Sequence, residues 1–353
     1  MKQRLRNHII RAGLGALDMT GAYRLLPPRY AGVGMIFMLH HVRPRRDDAF
    51  QPNHHLEITP DFLRMTLEHV RRSGIDIVTI DEMHRRLSER DLSRRFACFT
   101  FDDGYRDNRD YALPVMREYD APLVVYVPSD FAGGRGRLWW VALKRIITAA
   151  DTVEVVIDGV ATRFDAATAD AKRRAFAQLH EWLRRLPDDD AVNREISTLC
   201  ARHGIDEAAI SRELCMSWDE LKAFADDPLV TIGAHTVRHG NLAKQDEPEA
   251  LNQIVANRAD LEAALQRPVT HLAYPYGDKL AAGRREFALA QRAGFATAVT
   301  TRPGMIFAEN AAHLSALPRI SLNGGYQNPR FLPILTSGTA TALWNRFQRV
   351  DVA

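Results

Sequence analysis

From Val33 onward the chain alternates short apolar runs with stretches of helical periodicity. "VGMIFML" is a continuous apolar run that ends at His40 and His41. In "TPDFLRMTLEHVRRSG", Thr59 stands as N-cap, Pro60 takes the first helical position and Gly74 is the stop. "IDIVTI" then reads as a strand, Asp81 as the cap of another helix, and "FACFTF" as a strand that halts at two adjacent carboxylates, Asp102 and Asp103. A helix around Arg109 to Tyr119 leads into "PLVVYV".

The middle of the chain follows a different rule. Between about residues 138 and 215 a hairpin pattern, "VEVVIDGVATRF", precedes long helical patterns around "AKRRAFAQLHEWLRRL" and "NREISTLCARHG", which reads as a mainly helical insertion. Alternation resumes at "SWDEL", where Ser217 and Glu220 have capping-box spacing. The strand "LVTIG", the helix "EPEALNQIVANRADLEAALQ", the strand "VTHLAY", the helix "RREFALAQRAG" and the strand "FATAVT" follow, with a last short strand around "PRISL". Seven or eight β-segments separated mostly by helices predict an α/β fold with a parallel sheet closed as a (β/α) barrel. Chemistry is then expected at the C-terminal ends of the strands, where the polar constellations are found. The predicted organisation is an amphipathic helical extension over 1–32, a catalytic barrel over 33–325 with the insertion at about 138–215, and a helical tail over 326–353.

Composition narrows the function. Of 353 residues 46% are hydrophobic and 26% charged, as in an ordinary globular protein. The net charge of +3 is spread among acids, with no arginine stripe interleaved with aromatics, so a nucleic-acid partner is not indicated. Cys98, Cys200 and Cys215 form no C-x-x-C pair, which argues against a cysteine zinc site or a disulfide framework. The basic N-terminus has its apolar residues interrupted by Asn7, His8, Arg11 and Asp18, so it lacks a signal-peptide core. The expected location is the cytoplasm, with the N-terminal helix resting on the barrel or on the inner face of a membrane.

The second polar constellation is "GAHTVRHGN", with His235 and His239 separated by three residues after the strand "LVTIG". A helical turn there would put both imidazoles on one face, close enough to share a metal. Two histidines and one carboxylate form a common facial set for zinc or iron, and Asp102 or Asp103 can supply the carboxylate. Thr236 stands where the glutamate base of an H-E-x-x-H helix would be, so the base must come from elsewhere. Of two adjacent aspartates, one can bind metal while the other accepts a proton from water.

"TFDDG" at Thr100 to Gly104, "HTVRH" at His235 to His239 and "YPYG" at Tyr274 to Gly277 together resemble the polysaccharide deacetylases with a NodB-type domain, carbohydrate esterase family 4. The resemblance covers roughly residues 33–322 and implies a distorted (β/α) barrel that removes acetyl groups, usually N-acetyl groups of glucosamine-containing glycans. It further implies a divalent metal, zinc first, with cobalt, nickel or iron as alternatives. By position, Asp102 is the implied base that activates metal-bound water, and Asp103, His235 and His239 are the implied metal ligands. Tyr276 is implied to stabilise the oxyanion through its backbone N–H.

Two elements of the family pattern are missing. Ala273 replaces the arginine that orients the base in many relatives, and "HLSALPRISL" does not match the late L-x-H motif that supplies the acid. His41, in "FMLHHVRP", is similar to the strand-end histidine of the biofilm-polysaccharide subgroup, with His40 at the tyrosine position of that element; it is the expected acid. Arg319 is the expected replacement for the arginine. "LWW" at Leu138 to Trp140 offers either a sugar-stacking surface or packing for the insertion. The expected reaction is N-deacetylation of a sugar in a polysaccharide, oligosaccharide or glycan precursor. An O-acetyl esterase and a non-catalytic carbohydrate-binding protein are the alternatives.

Overall fold

A computed structural model describes residues 2–25 and 28–352. Seven parallel strands close on themselves in chain order: β1 (Gly34–Leu39), β2 (Phe96–Asp102), β3 (Leu123–Val127), β4 (Val230–Ala234), β5 (His271–Ala273), β6 (Thr297–Pro303) and β7 (Leu317–Ser321), which returns to β1. Pairing is tight on one side, where β1 and β2 match from Gly34↔Phe96 to Leu39↔Phe101. It is sparse on the other: β4 meets β5 at Leu272↔Ala234 alone, and the register of β6 and β7 shifts between Val299 and Pro303. The barrel is therefore distorted, as expected.

Side-chain alternation sorts the strands into two layers. Met35, Phe37, Ala97, Phe99, Phe101, Leu123 and Val125 pack outward against the helices, whereas Ile36, Cys98, Val124, Tyr126 and Leu317 join an inner cluster. Because successive strand residues face opposite sides, Asp102 continues the inner row of β2 through Cys98 and Thr100. That parity carries it to the mouth of the barrel.

Helices cover the outside where their sequences dictate. Thr59 caps Pro60–Arg72 by accepting from the Phe62 N–H, and Ser217 and Glu220 make the predicted capping box of Trp218–Ala225. Two local expectations are corrected. "IDIVTI" yields only the two-residue strand Asp76–Ile77, because Thr79 rather than Asp81 caps the next helix and draws Ile80 into it. The helix expected from Arg109 is a wide turn over Asn108–Ala112 continuing into Leu113–Glu118.

Between β3 and β4 the insertion forms the helix Trp139–Ala149, an antiparallel hairpin (Thr152–Ile157 with Val160–Asp165) and the helices Ala169–Arg185, Asp189–Arg202 and Glu207–Leu214. It has its own core, built on Leu143, Ile146, Leu179, Leu183 and Ile196, which also takes in Phe50, Tyr105 and Phe131 from the strand-end loops. The insertion is thus anchored on the face of the barrel where the strands end. It rejoins the barrel where Cys215 bridges to Tyr105 and the Met216 N–H donates to the Gly104 carbonyl.

Candidate active site

At the end of β2 the backbone turns sharply, with Asp103 at φ 77° and Gly104 at φ 64°. This left-handed pair ends the strand and aims consecutive carboxylates differently. Asp102, 2% exposed, faces the inside of the barrel, and both of its oxygens accept from Arg319: Nη1 to Oδ1 and Nη2 to Oδ2, each at 2.7 Å. Arg319 lies two residues after Leu317 on β7 and is itself fully enclosed. Its Nε donates to the Thr300 carbonyl and its Nη1 also reaches the Thr100 hydroxyl. Burial would raise the Asp102 pKa, but the guanidinium outweighs it and holds the carboxyl below its ordinary value.

Asp103 meets the two histidines of the second motif. Its Oδ1 is 3.6 Å from His235 Nε2 and 3.3 Å from His239 Nε2. Burial pushes its pKa up, yet the neighbouring imidazoles win and lower it. The segment carrying the histidines is not the helical turn expected from their spacing, since Thr236 and His239 have φ of 63° and 56°. It is a loop tied to the helix Glu247–Leu265. Asn257 accepts from the His235 N–H and donates to the Val127 carbonyl, and Gln253 accepts from the Arg238 N–H. The Thr236 hydroxyl accepts from the His239 N–H, which closes the loop and brings the two rings to 4.9 Å.

These three side chains suit a cation. Four ligand atoms each about 2 Å from a tetrahedral ion would lie about 3.3 Å apart, close to the spacings found. His235 Nδ1 is 2.7 Å from the Ala273 carbonyl, a contact that makes Nδ1 the donor and leaves the Nε2 lone pair facing Asp103. Asp103 Oδ1 is buried with no hydrogen-bond partner among the described residues, a costly arrangement for a carboxylate unless a cation satisfies it. Ligand atoms of Asp103, His235 and His239 all fall within 4.8 Å of one another.

The two histidines after β1 diverge. His41 Nδ1 pairs with Asp107 Oδ2 at 2.7 Å and its ring stacks on Tyr105, facing away from the carboxylate pair. His40 instead turns inward, with Nε2 3.9 Å from Asp102 Oδ2. Burial lowers its pKa, against the pull of Asp102 and Asp103. Strand parity was the available signal: Ile36 belongs to the inner row, so His40 faces in and His41 faces out.

Tyr276 sits in a left-handed turn at φ 60°, and its backbone N–H makes no hydrogen bond among the described residues. Its hydroxyl accepts from Trp139 Nε1 at 2.9 Å, and Arg184 lies over its ring at 4.6 Å. Trp140 packs 5.2 Å from His239. The tryptophan pair therefore packs the insertion and also walls the site. His180 from the insertion lies 4.9 Å from Trp139, a contribution that sequence spacing did not reveal, and His55 from the loop after β1 lies near His40.

The model of the polysaccharide deacetylase family matches residues 192–298, just under a third of the chain. The match takes in His235, His239 and Tyr276 but not the aspartate pair. No curated protein matches. Among solved structures, the deacetylase PplD of Streptococcus pyogenes, in complex with acetate, is 17% identical with a TM-score of 0.55, over 82% of this chain and 92% of that one. IcaB of Ammonifex degensii is 16% identical with a TM-score of 0.51, over 87% and 97%. At such identities the structural likeness speaks for the barrel, and the family match speaks for the sequence within it. Residues 192–298 thus match the polysaccharide deacetylase family, and the barrel as a whole shares the fold of these two structures.

Proposed function

We propose that this protein is a metal-dependent hydrolase that removes N-acetyl groups from an N-acetylated sugar in a polysaccharide, oligosaccharide or glycan precursor. The observation that carries the reading is the pairing of two differently held carboxylates: Asp102 clamped by Arg319, and Asp103 facing His235 and His239. Asp103, His235 and His239 would hold a divalent cation, zinc by the chemistry of the donor set. When bound, such a cation polarises an acetyl carbonyl and acidifies water.

The chain's own residues supply the proton transfers. Asp102 is kept ionised by Arg319 and accepts the proton of the attacking water. The Tyr276 N–H is free to donate to the developing oxyanion, a contact typically worth about 3–4 kcal/mol. Cleaving the amide also requires a proton for the departing amine. His40 is the proton donor in this reading, because it is the imidazole beside the base, whereas His41 is held by Asp107. Trp139, Trp140 and Tyr276 exclude water from one side of the site.

The direct test is acetate release from a panel of N-acetylglucosamine oligomers and O-acetylated sugars, with chelated protein and Asp102→Asn as controls. Release from the amides that is lost in both controls is the expected result. Release from esters alone would make the enzyme an O-acetyl esterase, and glycan binding without any release would make it a binding protein.

A further inference from the structure

We infer that the two ends of the chain together form a surface that docks on an anionic phospholipid bilayer, a property separate from the deacetylase site.

Among its described side chains, the N-terminal helix Lys2–Thr20 packs inward through one stripe. Leu14 is buried, with Ile10 and Leu17 partly buried beside it, a spacing of four and three residues that defines one helical face. Ile9 and Met19 face away, 60% and 85% exposed, and Leu25 in the following turn is 84% exposed. The C-terminal segment around the helix Thr339–Trp344 adds Leu343, Trp344 and Phe347, each about half exposed. Half of the large exposed apolar side chains among the described residues thus lie in two segments that make up about a sixth of the chain.

The two segments pack against each other. The Thr339 hydroxyl donates to the Tyr23 carbonyl, Arg349 Nη2 donates to the Arg29 carbonyl, and Tyr30 packs edge-on against Phe347 at 5.4 Å. Gly338, at φ 79°, lies so close to Tyr30 that a Cβ there would come within 2.1 Å of its carbonyl oxygen.

Charge selects the partner. Residues 1–32 hold six Lys and Arg against one acid, and residues 326–353 hold three Arg against one acid, a combined +7. The chain as a whole is +3, so the remainder is −4. Among the described residues, Arg24, Arg29 and Arg346 form no ion pair with a carboxylate. A self-associating interface would bring two such basic surfaces together and repel. An anionic bilayer satisfies both features, taking apolar side chains at the acyl boundary and arginines at the phosphates. No helix among the described residues is long and apolar enough to cross a membrane, so the contact is peripheral.

The test is co-sedimentation of the full chain with vesicles of phosphatidylcholine alone or mixed with phosphatidylglycerol. Binding to the mixed vesicles that weakens with added salt is expected. Arg24→Gln with Arg346→Gln should weaken it about 25-fold, at about fivefold per arginine. Leu25→Ser with Leu343→Ser should weaken it at low and high salt alike, and unchanged thermal melting shows that the variants fold. No binding to phosphatidylglycerol vesicles, or equal salt-independent binding to both kinds, would overturn the inference. So would a concentration-dependent dimer in sedimentation equilibrium that these same substitutions disrupt. Acetate release enters none of these readouts, so the lipid surface stands or falls independently of the reaction.

Discussion

At the scale of single residues, direction relative to the barrel decides what each side chain meets. His40 and His41 are chemically the same, yet one faces the carboxylate pair and the other faces Asp107. His40→Ala is therefore expected to lower kcat on an amide substrate by 10²-fold or more, the usual size of a general-acid contribution. A good ester leaving group should suffer far less, and His41→Ala should leave the amide-to-ester ratio near that of the unmodified protein. Equal losses toward both substrates in His40→Ala would remove it from the proton-donor role. The aspartates, His235 and His239 were legible because their motifs are short and contiguous. The family resemblance pointed to His41, whereas the proposed choice of His40 rests on the period of two along β1 and on the contacts each ring makes. Arg319 has the same logic, since it follows Leu317 on the inner row and spans β1 to reach Asp102 on β2.

The Arg319–Asp102 pair also fixes a pH dependence. Burial alone pushes the Asp102 pKa up and the guanidinium holds it down. Replacing Arg319 by Leu leaves a buried carboxylate uncompensated, at a cost in stability of about 3–5 kcal/mol. Arg319→Lys keeps a charge but loses the two-pronged contact. With either change the base takes up its proton at higher pH, so the acidic limb of kcat/KM should move upward, further for Leu than for Lys. A pH–rate profile measures this directly, and an unmoved limb would mean that another group is the base.

At the scale of elements, the insertion was legible as helical because its apolar positions recur at helical spacing, and its capping residues Thr168, Asp188 and Asp206 each accept from the first helical turn. Its proximity to the site was not legible, because contacts such as Trp139 with Tyr276 join positions 137 residues apart. The H-x-x-x-H spacing predicted that the two imidazoles meet, and they do, but through a loop pinned by Asn257 and Gln253 rather than through a helical turn. His180, on the insertion helix Ala169–Arg185, offers a test of how firmly this roof is packed. Burial, aided by Arg184, lowers its pKa from 6.5 to about 4. Between those values the unfolded chain binds the proton more tightly than the native one. The stability associated with the neutral ring is therefore full above about pH 6.5 and declines as pH falls toward 4. His55, lowered to about 4 chiefly by burial, adds to the same slope. Thermal melts across this range should fall less steeply for His180→Phe, which keeps a flat ring against Trp139. An identical slope would place the native ring in a better solvated setting.

At the scale of the whole molecule, the cluster of Asp103, His235 and His239 brings together parts of the barrel that backbone pairing joins weakly. Asp103 extends β2, while His235 and His239 follow β4, and the whole insertion lies between them in sequence. A cation held by all three cross-links the chain on either side of that insertion, close to the β4–β5 seam that has one paired position. Ligand binding to the native state alone stabilises it by about 2.7 kcal/mol at a hundred times Kd. In a chain of this size that corresponds to a rise in Tm of a few degrees. Zinc added to chelator-stripped protein should produce such a rise. Asp103→Asn should remove most of it, because the substitution takes away the one negative ligand. Asp102→Asn should retain the shift while abolishing acetate release, since Arg319 holds that carboxylate outside the ligand set. Loss of the zinc shift in both variants would mean that the two carboxylates share the cation, and the division of labour between ligand and base would have to be redrawn.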